Sequence, residues 1–183
     1  MRRDVVEAAR DGDHEAFEAL ATAAGDRLYA IAYLILRDRQ DAEDAVQEAL
    51  VHAWRELPRL RDPDRFDAWM HRLLVNACAD EGRHQRRWSA EVRMIHSEPT
   101  TQDGTSTVAD RDQLERGFRR LKPEQRAVVV LHFYVGLSVP QVADTLGVAA
   151  GTVKSRLHYA TTILRGALEA DARATVVSDG QTA

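Results

Sequence analysis

Apolar residues recur at helical spacing along most of this chain. Phe17, Ala21, Ala24, Leu28, Ile31 and Ile35 fall on one stripe, and Ala42, Val46, Ala49 and Ala53 on a second that ends near Leu57-Pro58. Asp62-Pro63-Asp64 predicts a turn into a third helix, with Asp64 as candidate cap and Phe66, Trp69, Leu73 and Ala77 as the apolar face. No strand-like alternation or hairpin signal is evident, so the predicted class is all-α. The three helices predict a first domain, residues 1–96, able to bury a compact core of its own.

From Ser97 to Thr107 the sequence SEPTTQDGTST holds no apolar residue. Such a composition does not offset the entropy of ordering, which predicts a flexible linker over 97–108. Helical signals resume near Ala109: Leu114 and Phe118 share a face, and Lys122-Pro123 opens the next helix with proline at a tolerated first-turn position. Ser138 and Gln141 form a capping-box pair, Val142, Ala143 and Leu146 give one apolar face, and Gly147 stands where a helix must stop and turn. A further helix buries Val153, Leu157 and Ala160. Residues 109–170 are thus predicted to be a helix-turn-helix domain, followed by a frayed tail over 171–183.

The last helix leaves Thr152, Lys154, Ser155, Arg156, His158 and Tyr159 on its outer side. A short helix, apolar inside and rich in donors outside, fits the width and chemistry of a DNA major groove. Lys154, Ser155, Arg156 and His158 are candidate contacts, with Thr152 near the helix start facing phosphate. Arg156 could instead pair with Glu124 or Asp144, and His158 could be a passive surface residue.

The formal net charge of −4 is unusual for a DNA-binding protein until it is divided along the chain. Residues 1–60 carry eight Arg and no Lys against thirteen Asp and Glu, a net of −5. Residues 111–170 carry nine Lys and Arg against five Asp and Glu, a net of +4. An acidic front and a basic back suggest two different partners, although surface charge also drifts this far by chance. No apolar run reaches bilayer-spanning length, no charged-then-apolar signal opens the chain, and the single Cys78 builds neither disulfide framework nor zinc site. These features predict a soluble cytoplasmic protein with no membrane insertion and no cofactor.

Asp41, Asp44 and Glu48 are spaced to share a helix face, with Gln47 beside Glu48. Clustered carboxylates can bind metal, act as acid and base, form a solvated face, or dock a basic partner surface. A di-metal bundle needs two Glu-x-x-His steps, and only Glu81-x-x-His84 fits, so the enzyme reading has little support. In the third helix, Phe66 and Trp69 accompany Arg72, Arg83, Arg86, Arg87, His71 and His84. Either aromatic alone fits a core position, yet cations beside aromatics also suit a single strand held by phosphate contacts and base stacking. Asn76 sits among Leu73, Leu74, Val75 and Ala77; buried there, it would need partners or mark a ligand pocket.

Three blocks in this order resemble the bacterial RNA polymerase sigma factors of the small extracytoplasmic-function type: DAEDAVQEALVHAW at 41–54, RFDAWMHRLLVNACADEGRHQRR at 65–87, and Leu121 to Leu164. The resemblance spans about residues 10–88 and 110–168. It implies that Asp44, Gln47 and Glu48 dock on the clamp helices of the largest polymerase subunit, while the flap of the second-largest subunit is also contacted. It implies that the second block recognises and opens the promoter −10 element through Arg61, Arg65, Trp69, Arg72, Asn76, Arg83, Arg86 and Arg87. In that block the position matching Asn76 helps hold a flipped-out base, and the loop from Arg61 to Arg65 lines the same pocket. Extracting a base costs a few kcal/mol, so pocket and polymerase must both contribute. The last helix would read the −35 element through Thr152, Lys154, Ser155, Arg156, His158 and Tyr159, and the linker would thread toward the active-site cleft. An anti-sigma factor is the implied inhibitor.

Three departures from the family pattern concern the −35 reader. Ala149 replaces a capping residue, a change that typically costs about 1 kcal/mol. Tyr159 stands where many members carry a DNA-contacting Arg, and Pro140 occupies the second position of its helix. The competing reading is a helix-turn-helix regulator whose N-terminal half senses a ligand or dimerises, which leaves the Asp44-Gln47-Glu48 face unexplained.

Overall fold

A computed structural model describes residues 3–93 and 109–179, with side chains described for 3–83 and 115–168. Eight α-helices are present among the described residues: α1 (Arg3–Arg10), α2 (His14–Leu36), α3 (Arg39–Glu56), α4 (Phe66–Arg93), α5 (Ala109–Arg120), α6 (Pro123–Val129), α7 (Val139–Leu146) and α8 (Ala150–Asp179). The fold is all-α, as the periodicity predicts. The predicted linker, 97–108, lies outside the described residues.

Helix starts follow local chemistry. Asp13 Oδ1 accepts from the Ala16 N–H at 3.1 Å to cap α2, and Asp38 Oδ1 accepts from the Asp41 N–H at 3.1 Å to cap α3. Between them Arg37 takes a left-handed φ of 65°, which lets α2 end and α3 begin within two residues. Asp64 is not the cap that the sequence suggests. Asp62 is, accepting from the Asp64 N–H at 3.1 Å to fix a short 3₁₀ turn, Pro63–Arg65, that leads into α4. Gln141 Oε1 accepts from both the N–H and the hydroxyl of Ser138, each at 2.8 Å. Ser138 and Gln141 thus form the capping box that their spacing predicts.

Four features differ from the sequence reading. Helix α1 was not foreseen; its Val6 and Ala9 are buried. Helix α2 is long and apolar enough, by length and composition, to cross a bilayer, against the expectation that no such run exists. It serves instead as the central core helix, burying Leu20, Leu28, Ile31, Ala32, Ile35 and Leu36 against α3, α4 and α6. After α6 the chain widens into a π turn, Val130–Tyr134, closed by the Val135 N–H on the Val130 carbonyl at 3.0 Å and by His132 Nδ1 donating to the Leu137 carbonyl at 2.7 Å. Finally, α8 runs on through the segment expected to fray, as far as Asp179.

The two halves share one core. Ala127, Val128, Val130, Leu131, Val142, Ala143 and Val153 join Leu28, Ile31, Ile35, Leu74 and Cys78 in a continuous buried cluster. A smaller cluster of Leu121, Val129 and Ala160 knits the C-terminal half together. There α5 lies close on α8: a Cβ on Gly117 would meet Leu164 Cδ2 at 2.9 Å and Ala167 Cβ at 3.3 Å.

Candidate polymerase and nucleic-acid interfaces

Alanine makes the acidic face of α3 possible. Ala42, Ala45, Ala49 and Ala53 are all fully buried, so the helix sits close on its neighbours and turns its opposite side outward. Asp44, Gln47 and Glu48 are exposed there together. Gln40 Nε2 donates to Asp44 Oδ1 at 3.2 Å, and Glu48 lies 3.8 Å from His52 one turn on. Val51, 47% exposed, continues the same stripe. The sequence reading missed it, although an apolar residue one turn beyond Gln47 on a charged face was the available signal. Asp41 does not join the stripe. It is half-buried with Oδ2 unpartnered, and burial, reinforced by Asp38, Glu81 and Asp44, pushes its carboxyl up to about 6.

Along α4 and the turn before it, Arg65, Trp69, Arg72, Asn76 and Arg83 recur at helical spacing on the outer side. Phe66 is core at 4% exposure, while Trp69 is half-buried against it, ring centroids 5.9 Å apart. One aromatic is therefore packing and the other is offered outward. Asn76 is exposed, so the expectation of a buried amide in need of partners does not hold. Arg83 is tied by its guanidinium to Asp80. His71 is no part of the basic face: it is buried, its Nδ1 has no partner, and burial pushes its pKa down, helped by Arg27. Arg86 and Arg87 continue α4, but their side chains, like that of His84, lie outside those described.

Arg61, Arg65, Trp69 and Arg72 form one wall of a cleft of about 750 Å³, and Gln141, Asp144 and Thr145 of α7 form the other. The cleft therefore lies between the two halves of the chain. Elsewhere on the seam, Arg37 of α2 pairs with Glu115 of α5. Arg126 of α6 is partly buried beside Arg37, and burial, with that like charge, lowers its pKa to about 10. The Nε atoms of both arginines are buried without a partner, a costly arrangement for a seam.

Helix α8 stands clear of this seam on its outer side. Val153 and Ala160 are fully buried, and Lys154, Ser155, His158 and Tyr159 are exposed, with Thr152 and Arg156 half-buried. Ser155 Oγ donates to the Thr152 carbonyl at 3.0 Å, which leaves its lone pairs to accept from a ligand. With alanine at position 149, the helix starts on backbone alone: the Thr152 N–H reaches the Ala149 carbonyl at 2.9 Å and the Val153 N–H reaches it at 3.3 Å. Among the described residues no three His, Cys, Asp or Glu side chains are grouped to hold a metal ion.

Residues 20–88 match the Sigma-70 region 2 family and residues 111–160 match the Sigma-70, region 4 family. The extracytoplasmic-function sigma factor SigM of Mycobacterium tuberculosis is 37% identical over 145 residues, covering 79% of this chain and 73% of that one. The RNA polymerase sigma-E factor of Streptomyces avermitilis is 34% identical over 161 residues, covering 86% and 89%. Among solved structures, CnrH in complex with the cytosolic domain of CnrY superposes with a TM-score of 0.65 at 29% identity, covering 92% of this chain and 97% of that one. The sigma factor RpoE of Bartonella quintana, in complex with the anti-sigma factor NepR, gives 0.68 at 24% identity over 85% and 98%, a likeness of fold. The chain belongs to the extracytoplasmic-function sigma factors and directs bacterial RNA polymerase to initiate transcription.

Proposed function

We propose that this sigma factor is a dissociable cytoplasmic subunit with no chemistry of its own, whose labour is divided by charge. The exposed α3 stripe of Asp44, Gln47 and Glu48, extended by Val51, docks on the clamp helices of the largest polymerase subunit. Arg61, Arg65, Trp69, Arg72 and Asn76, with Arg83, Arg86 and Arg87, read and open the −10 element. Trp69 is the stacking platform and the arginines take phosphate. Thr152, Lys154, Ser155, Arg156, His158 and Tyr159 read the −35 element from α8, and the C-terminal half meets the flap of the second-largest subunit.

The single observation that carries this reading is the outward separation of charge. An acidic helix face seated on four fully buried alanines lies in the same half as a cation-lined helix that offers one tryptophan. Complementary charge of this kind steers and orients partners. An anti-sigma factor is the proposed inhibitor; the relative CnrH is held by the cytosolic domain of another protein. The test is reconstituted transcription by core polymerase and this chain on templates randomised over both promoter elements. The expected result is enrichment of two separated motifs that depend on the added chain. Transcription with no sequence enrichment contradicts the proposal.

A further inference from the structure

Helix α1 begins at Arg3 and ends before the family match starts at residue 20. It packs against the two short turns that precede α4, Leu57–Arg59 and Pro63–Arg65. Val6 and Ala9, one turn apart, are 1% and 2% exposed and join Leu57 in the core, while Pro63 is buried. Above this apolar contact, Arg3 Nη1 lies 2.8 Å from Asp64 Oδ2, and Arg3 Nε donates to Glu7 Oε1 at 2.8 Å. Glu7 thus fixes the guanidinium from its own helix, and the guanidinium holds the loop carboxylate.

The loop RDPDR places two carboxylates among two arginines. Left to itself, such a loop neutralises its own cations. Here Asp64 Oδ2 is engaged by Arg3 and so drawn toward α1, while Asp62 Oδ1 accepts from the Asp64 N–H within the loop; both aspartates line the cleft with the arginines. Arg61 and Arg65 are exposed, and among the described residues neither has an ion pair. Both line the cleft with Trp69 and Arg72.

We propose that Arg3 is a positioning residue for −10 recognition: by holding Asp64 against α1, it fixes the Arg61–Arg65 loop and keeps both loop arginines available to DNA. This inference rests on the reading of that loop as a −10 contact. Arg3 touches no DNA in this account and acts only through Asp64.

The test uses full-length chain, core polymerase and the doubly randomised template library. Four proteins are compared with wild type: Arg3→Ala, Asp64→Arg, the charge-swapped pair Arg3→Asp with Asp64→Arg, and Arg61→Ala with Arg65→Ala. For Arg3→Ala the expected result is a loss of base preference at the −10 element of up to about fivefold, the ceiling for an exposed ion pair. Preference at the −35 element and core retention stay unchanged, and the swapped pair recovers the lost preference. An equal loss at both elements, or no recovery by the swap, overturns the positioning role and leaves the loop reading standing. Unchanged −10 preference in Arg61→Ala with Arg65→Ala overturns the loop reading, and the inference with it.

Discussion

Helices α4 and α8, the proposed readers of the two promoter elements, both turn cations outward, yet they stand in different surroundings. On α8 the outer residues Lys154, Ser155, His158 and Tyr159 are open to solvent. Around α4 the corresponding residues, Arg61, Arg65, Trp69 and Arg72, share a cleft with α7 of the other half. The proposed −35 face thus stands clear, while the proposed −10 face lines a cleft with part of its own chain. The difference lies in the core: Val128, Val130 and Leu131 pack against α2 and α4, which sets α7 across a cleft from the proposed −10 face.

The largest expected effect is on the cleft side. Trp69→Ala removes the offered aromatic and should weaken −10 single-strand binding by the holoenzyme by about 1–3 kcal/mol, the worth of one stacked base. Fluorescence anisotropy with a single-stranded −10 oligonucleotide measures it. Equal binding by wild type and variant breaks the comparison, because α4 then has no stacking role. Next comes the seam. Glu115→Ala leaves the Arg37 guanidinium, 12% exposed, without its cross-seam carboxylate. The expected cost is about 1–2 kcal/mol, between the values for exposed and buried pairs. Urea denaturation reads the loss, and small-angle scattering should show a larger radius of gyration. An unchanged radius means that the pair does not help to hold the halves together.

On the open side, Lys154→Ala should weaken holoenzyme binding to duplex −35 DNA nearly uniformly across sequences. The slope of log affinity against log salt should fall by about 1, the signature of one lost phosphate contact. A loss confined to certain sequences would instead assign Lys154 to a base edge. The last effect is electrostatic and concerns neither proposed reader. The Asp41 carboxyl is raised from an ordinary 3.8 to about 6 in the folded chain, so the folded state holds its proton more tightly than the unfolded state. Stability should therefore fall as pH rises from about 4 to about 6 and then level off. His71, whose pKa is lowered, contributes the opposite slope, losing stability as pH falls below its ordinary 6.5. Asp41→Asn isolates the first term: its melting temperature should exceed wild type at neutral pH, with the gap closing toward pH 4. A gap that widens on acidification contradicts the assignment.

Much of this was legible in the residues, for definite physical reasons. Proline at the start of α6 and glycine at the end of α7 mark boundaries through backbone preference alone, and the structure ends α7 at Gly147 with φ 64°. The outward set on α8 follows from the period of Val153 and Ala160. What was not legible depended on contacts distant in sequence. Helix α1 has only eight residues, and its partners, Leu57 and Pro63, lie some fifty residues on. Asn76 looked buried because its sequence neighbours are apolar, although its spacing from Trp69 and Arg72 puts it outside. Asp41 looked like a third member of the acidic stripe, but its position at the start of α3 turns it toward Asp38 and Glu81. The shared core was hidden for a similar reason: Val128, Val130 and Leu131 read equally well as the private core of a separate domain.

Co-purification of the full chain with core RNA polymerase, wild type beside Gln47→Ala with Glu48→Lys, tests the division of labour most directly. Both side chains are exposed, so the fold should be indifferent to the exchange, which circular dichroism and thermal melting will verify. Retention of wild type with loss of the folded double variant is the predicted result. Equal retention of both proteins would contradict the account, since polymerase would then be engaging some other face of the chain.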